Sequence, residues 1–168
     1  MARFVSLVAI TALCTTSAFA QRPVTLTLGG GGTFPAGDLA EGADPGWHAL
    51  AGLQISTLMQ PIGIRLDGMY NRFGGDDNAP DATITSATLN FSYRLPLTNS
   101  PLSPYVIAGW GAHWLDCADD ACDADLRYGW NAGLGTKFNF GFRGFLEARF
   151  HGVTGKVRYV PITFGLIL

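Results

Sequence analysis

Five of the chain's thirteen carboxylates crowd into one stretch: His113–Arg127 reads HWLDCADDACDADLR, with Asp116, Asp119, Asp120, Asp123 and Asp125 around Cys117 and Cys122. Carboxylate oxygens are the ligands hard cations prefer, which makes these aspartates a candidate Ca²⁺ site, although the D-x-[DN]-x-[DN]-G spacing of a dedicated loop is absent. A second set, Arg65, Asp67, Asn90, Arg94, Lys137, Glu147, Arg149 and His151, places polar and charged groups within otherwise apolar stretches. Charges taken out of water need partners, so these eight are candidates for a polar network. A third set joins histidines to hydroxyls. His113 and His151 are candidate bases, and Ser56 or Ser92 candidate nucleophiles, provided each pair comes within hydrogen-bond reach.

What these residues do depends on the elements that hold them. Met1-Ala2-Arg3 is a short basic start, Phe4 to Leu13 an apolar run, and Ala18-Phe19-Ala20 an A-x-A cleavage signal. Residues 1–20 therefore read as a secretory signal peptide for the Sec pathway, leaving 21–168 as one mature domain. Leu13 is too bulky to precede a lipidated Cys14, which argues against a lipoprotein. Export means an oxidising compartment, so Cys117 and Cys122 are expected to form a disulfide. A zinc pair would need tighter spacing and a second cluster.

Bulk composition narrows the class further. Net charge is −2 with no basic tract, which disfavours nucleic acid as a partner. After the signal, no apolar run approaches the roughly 18 residues of a membrane helix. Mean hydropathy is nevertheless +0.20, high for a soluble domain.

The apolar residues recur with period two, the strand signature. Trp47, Ala49, Ala51, Leu53, Ile55, Thr57 and Met59 alternate with His48, Gly52, Gln54, Ser56 and Gln60. Ile64, Leu66 and Tyr70 alternate with Arg65, Asp67 and Asn71, and Leu89, Phe91, Tyr93 and Leu95 with Thr88, Asn90, Ser92 and Arg94. Three similar runs cover 106–114, 128–140 and 146–151, and a last one covers 160–168. With Val24 to Gly32 the strands number about eight, an even count as in bacterial membrane barrels. The connectors alternate too. Phe34 to Gly46, Gly74 to Thr83 and Leu115 to Leu126 are expected to be long polar loops, with Gly152 to Val157 a short fourth. Gln60 to Ile62 and Asn139 to Arg143 are tight turns, and the Pro-rich Pro96 to Pro104 segment fits less well.

Alternation does not say which face points inward. A lipocalin-type barrel would turn the apolar face in around a ligand, and a membrane barrel would turn it out to lipid. Trp47, Trp110, Trp114 and Trp130 would crowd an eight-stranded interior. The glycine-rich polar face suits a narrow lumen. Aromatics also cluster at both strand ends, with Trp47, Tyr70, Trp114, Tyr128 and Trp130 at one and Tyr93, Phe138 and Phe140 at the other, as in membrane girdles. The expected fold is therefore all-β: an eight-stranded antiparallel up-and-down transmembrane β-barrel.

The Gly29 to Gly32 run with Pro35 and Gly37-Asp38, the strand IRLDGMYNRF and the closing YVPITFGLIL carry a resemblance. The chain resembles the small OmpA/OmpX-type, opacity-protein-like outer-membrane barrels of Gram-negative bacteria. That resemblance implies a cell outer-membrane location, contact with outer-membrane lipids and lipopolysaccharide, and biogenesis by the barrel-assembly machinery. Family members usually end in an aromatic, whereas this chain ends in Leu168. Some small barrels deacylate or acylate lipid A with a Ser/His/acid set. Here the histidines, His48 included, face the lumen, Ser92 lies toward the other rim, and no serine sits two residues from His113 or His151. The expectation is a non-catalytic barrel without cofactors, serving envelope integrity or surface interaction. The alternatives are a narrow channel for small solutes or a soluble ligand-binding barrel. The lumen set is expected to plug the interior. The long loops, acidic and extracellular, hold every mature carboxylate except Asp67 and Glu147; their aspartates are expected chiefly to solvate the loops, with shared divalent ions or an extracellular partner as the functional alternatives.

Overall fold

The computed structural model describes residues 24–56, 61–75, 81–96, 100–117 and 125–168. Eight strands follow one another: β1 Val24–Ala36, β2 Ala43–Ser56, β3 Ile62–Gly75, β4 Ala82–Arg94, β5 Leu102–Cys117, β6 Asp125–Asn139, β7 Arg143–Val153 and β8 Val157–Ile167. Each pairs antiparallel with the next, and β1 pairs with β8, so the sheet closes on itself. Reciprocal backbone bonds between Leu26 and Leu168 (3.3 and 2.8 Å) tie the closing seam. Closure leaves no unpaired strand edge, which is the condition for a sheet to stand in hydrocarbon. The expected eight-stranded meander is the observed fold.

Strands of 11 to 16 residues are mostly longer than the roughly 9–11 residues that cross a bilayer. The excess lies at the end carrying the β1–β2, β3–β4, β5–β6 and β7–β8 connectors, called here the loop end; the chain termini mark the other. This corrects three loop expectations. Phe34 to Gly46 is mostly strand, with Phe34 opposite Val160 and only a 3-10 turn at Gly37–Glu41 between β1 and β2. Leu115 to Leu126 is strand at both ends, Trp114 pairing with Leu126 and Leu115 with Asp125. Gly74 and Gly75 belong to β3, and Ala82 and Thr83 to β4. Beyond the bilayer a strand no longer needs apolar outward residues, so its composition resembles a loop while its backbone keeps pairing. The β7–β8 connector shrinks to Thr154–Lys156, with Gly155 and Lys156 at φ 85° and 67°. The Pro96 to Pro104 segment already joins β5 at Leu102, opposite Phe138.

The apolar face points outward. Leu134 is 67 % exposed and Trp110 62 %, and Leu53, Leu66, Leu89, Phe91, Val106, Leu146 and Phe164 share that surface. A continuous apolar belt of this extent is foreign to a water-facing monomer, and the inward-facing soluble alternative is set aside. Aromatics bracket the belt. Trp47 meets Tyr70, Trp110 stacks on Tyr128 (5.5 Å) and Trp130 meets Phe150 toward the loop end, while Phe138 gathers Phe140, Phe142 and Phe164 toward the termini.

The inward face explains the glycines. A Cβ on Gly52 would run into the Asp67 carboxylate, and one on Gly109 into the Asn90 amide. The lumen has room for these long polar side chains because the facing rungs carry none.

Candidate functional site

The lumen is built in three layers by the inward positions of the strands. In the middle layer Arg65 and Asp67 (β3) and Glu147 and Arg149 (β7) form a quartet, each at most 2 % exposed. Arg65 donates from Nε to Asp67 Oδ2 (2.9 Å) and from Nη2 to both Glu147 oxygens (2.8 Å each). Arg149 donates from Nε to Glu147 Oε1 (2.5 Å) and from Nη2 to Asp67 Oδ2 (2.8 Å). Each arginine therefore holds both acids, and the formal charge of the set is zero. Neutral donors add to it: the Tyr105 hydroxyl to Glu147 Oε2 (2.6 Å) and the Asn90 amide to Asp67 Oδ2 (2.9 Å), with the Asn131 amide behind it on Asn90 Oδ1 (2.9 Å). Phe145 packs its ring 5.8 Å from the Arg65 guanidinium. Hydrogen-bonded charges so fully withdrawn from water rigidify a structure, although Asp67 Oδ1 and Arg149 Nη1 have no hydrogen-bond partner among the described residues.

Toward the loop end lies a layer of rings. His151 stacks on Tyr159 (4.7 Å between centroids), and His113 meets His151 edge-on at 5.8 Å, with its Nδ1 3.3 Å from the Tyr159 hydroxyl. Phe73, Ile84 and Val153 pack around Tyr159. His48 shares a hydrogen bond with Thr163 (2.8 Å). His151 therefore sits in an aromatic layer apart from the quartet, not in one network with it.

Toward the termini the lumen opens into a mouth. Lys137 donates to Gln54 Oε1 (2.7 Å) over the ring of Tyr105, and Arg94 is exposed at the rim. Of the eight expected network residues, five (Arg65, Asp67, Asn90, Glu147 and Arg149) meet directly. Arg94, Lys137 and His151 share their face but lie at other depths. Tyr105, Asn131, Phe145 and Tyr159 complete the lumen without having been named as site residues. The signal for them was present, since Tyr105 and Ile107 continue the inward alternation of Gly109, Gly111 and His113.

The acyl-transfer pairs are not assembled. Ser92 pairs with Gly63 and Ile107, six residues along β4 from Ser86, the neighbour of His113. Six strand residues are about 20 Å. Ser56 accepts a hydrogen bond from Gln54 at the mouth, also far from the ring layer.

At the loop end Asp125 is engaged by Arg127 (2.9 Å), and Asp116 lies exposed at the end of β5. Asp119, Asp120, Asp123 and Cys122 lie outside the described residues, and with them the Cys117–Cys122 disulfide. Among the described residues no three His, Cys, Asp or Glu side chains are placed to hold a metal ion. Asp81, just before β4, accepts from Arg72 Nη2 (2.8 Å) and the Gly75 N–H (3.0 Å) at the end of β3. The Arg72 hydrogen bond, helped by that N–H, holds the Asp81 carboxyl below the usual carboxylate range.

Comparison with known proteins gives the same architecture. The barrel resembles the crystal structure of Neisserial surface protein A (NspA), with a TM-score of 0.71 at 14 % identity over 86 % of this chain and 96 % of that one. It also resembles the N-terminal β-barrel domain of Pseudomonas aeruginosa OprF, with a TM-score of 0.52 at 18 % identity over 88 % and 100 % of the two chains. The outer membrane enzyme PagL matches at a TM-score of 0.49 and 14 % identity, over 86 % and 98 %. No curated protein matches the chain by sequence. Likeness at such identities speaks to fold and leaves activity open. The family model described as outer membrane protein beta-barrel domain matches residues 6–160, and the chain belongs to that family, whose place is the outer membrane.

Proposed function

We propose that this barrel is non-catalytic and closed, and that it serves envelope integrity or presents its acidic loop end to the surroundings of the cell. One observation carries the reading: the buried Arg65–Asp67–Glu147–Arg149 quartet, braced by Tyr105 and Asn90, crosses a lumen that eight strands leave only just wide enough for side chains. A second reading, a narrow channel, rests on the way each arginine already touches both acids, so that partners exchange without leaving the layer. Planar-bilayer recording separates the two. The plug reading expects no steady conductance from the native barrel, and steady single-channel steps from it would favour the channel.

In this proposal the signal peptide directs Sec export, the barrel-assembly machinery inserts the chain, and the loop end faces outward among lipopolysaccharide. The charge distribution supports that orientation, since eleven of the thirteen carboxylates fall in the sequence within 38–44, 76–81 or 116–125, and the described ones among them lie at the loop end. Cys117 and Cys122 form a disulfide that limits the freedom of the acidic loop and so lowers the ordering cost of recognition. Loop aspartates shared with divalent ions bridging lipopolysaccharide phosphates are a subsidiary part of the same proposal. Labelling of intact cells tests the orientation in a C117S/C122S background. A membrane-impermeant maleimide is expected to modify Glu41→Cys and to spare Pro61→Cys. The reverse pattern would invert the barrel.

A further inference from the structure

The mouth at the termini end is a cavity of about 140 Å³ whose wall includes Gln54, Ser56, Ser92, Arg94, Ser103 and Lys137. It adjoins a second cavity of about 220 Å³, which shares Ser56, Ser103 and Lys137 and adds Arg143 beside the apolar Phe138 and Ile167. We infer that this mouth is a binding site for a phosphate-type oxyanion.

The argument begins with charge. Among the described residues Asp38, Glu41, Asp44, Asp81, Asp116 and Asp125 lie at the loop end and Asp67 and Glu147 are held in the quartet, so Arg94, Lys137 and Arg143 share an end where no described Asp or Glu side chain lies. The sequence of 57–60 and 97–99 contains no Asp or Glu. Among the described residues Arg94 makes no ion pair, and Lys137 is met only by the Gln54 amide oxygen and the Tyr105 ring. Like charges lining one cavity repel, and an anion between them reverses the sign of that interaction.

Shape and donors then select the anion. Ser56 Oγ accepts from the Gln54 amide (2.8 Å), which leaves its own proton free to turn into the cavity. Among the described residues Ser92 is held only by a long contact to the Gly63 carbonyl (3.4 Å). Gly63 forms the floor. A Cβ there would lie 2.7 Å from the Gln54 amide nitrogen, 2.9 Å from Ser92 Oγ and 3.1 Å from Ser56 Oγ, so three polar groups converge on the space a side chain would fill. A guanidinium, an ammonium and several hydroxyls around one small cavity match a tetrahedral ion with acceptors on every side. The hydroxyls also accept the proton of a monoprotonated phosphate. Free phosphate and a phospholipid headgroup offer the same chemistry. The second cavity sets Arg143 beside the ring of Phe138, so a headgroup phosphate there would lie against an apolar surface that suits its lipid tails.

The test uses the mature chain folded in a maltoside detergent. Inorganic phosphate is titrated by calorimetry at low salt, and retention of phosphatidylglycerol is compared with phosphate-free diacylglycerol by native mass spectrometry. Arg94→Gln, Lys137→Gln and Gly63→Ala are run in parallel, each first shown to be folded by heat-modifiable gel mobility. Saturable phosphate binding, weakened at least tenfold by each of the three variants, is the expected result for a free oxyanion. Selective retention of phosphatidylglycerol without phosphate saturation, lost in the same variants, supports the site with a lipid headgroup as its ligand. Absence of both kinds of binding overturns the inference, as does binding that ignores Arg94→Gln and Lys137→Gln. Gly63→Ala binding like the native chain also overturns it, because attraction would then be diffuse charge without a built cradle.

Discussion

Glu147→Gln is expected to destabilise the folded barrel by about 3–5 kcal/mol, the usual consequence of removing one partner from a buried ion pair. The carboxylate accepts from Arg65, from Arg149 and from the Tyr105 hydroxyl, and it is 1 % exposed. The amide keeps one acceptor oxygen and replaces the other with a donor that faces arginine donors. Two guanidinium charges are then left against the single charge of Asp67. Urea unfolding in detergent micelles, followed by tryptophan fluorescence, measures the loss. An unchanged midpoint would mean that water, not Glu147, carries the charge of these arginines. A second variant separates pair from packing. Arg149→Met together with Glu147→Gln restores neutrality in the layer and is expected to cost less than the sum of the single changes, because contacting residues in one network couple.

The same quartet shows how far sequence reaches. Arg65, Asp67, Asn90, Glu147 and Arg149 were legible as inward groups because a strand sends alternate side chains to one face, and the lipid side admits no charge. Depth was not legible. Strand tilt and stagger in a closed barrel decide which rung of β3 stands across from which rung of β7, and neither is written in the period. Hence Arg94 and Lys137, with the same inward phase, end at the mouth, and His151 ends among rings. Tyr105 and Phe145 escaped for a different reason. An aromatic in a membrane strand is ordinarily read as outward-facing, yet here one donates to Glu147 and the other packs against Arg65. The strand portions of Phe34 to Gly46 were hidden for the complementary reason: past the girdle the outward face meets water, and alternation, the only signal of a strand, fades while pairing continues.

Leu134→Arg is expected to cost about 2–4 kcal/mol of folding stability in a bilayer, and Leu126→Arg on the same strand about 0–1 kcal/mol. Leu134 lies midway along β6 between Trp130 and Phe138, beside Val106 and Ala148 in the middle of the belt, and it is 67 % exposed. An arginine there meets hydrocarbon with no carboxylate in reach. Leu126 lies beyond Tyr128 at the loop end, next to Asp125 and opposite Trp114, where an arginine reaches water. Both positions are exposed, so a barrel in water would tolerate either change equally. Only a surrounding whose polarity varies with depth separates them. Urea titration of folding into phosphatidylcholine vesicles reads both values on one scale. Equal costs at the two positions would contradict a bilayer-spanning belt, because the outward leucines would then be facing one uniform solvent.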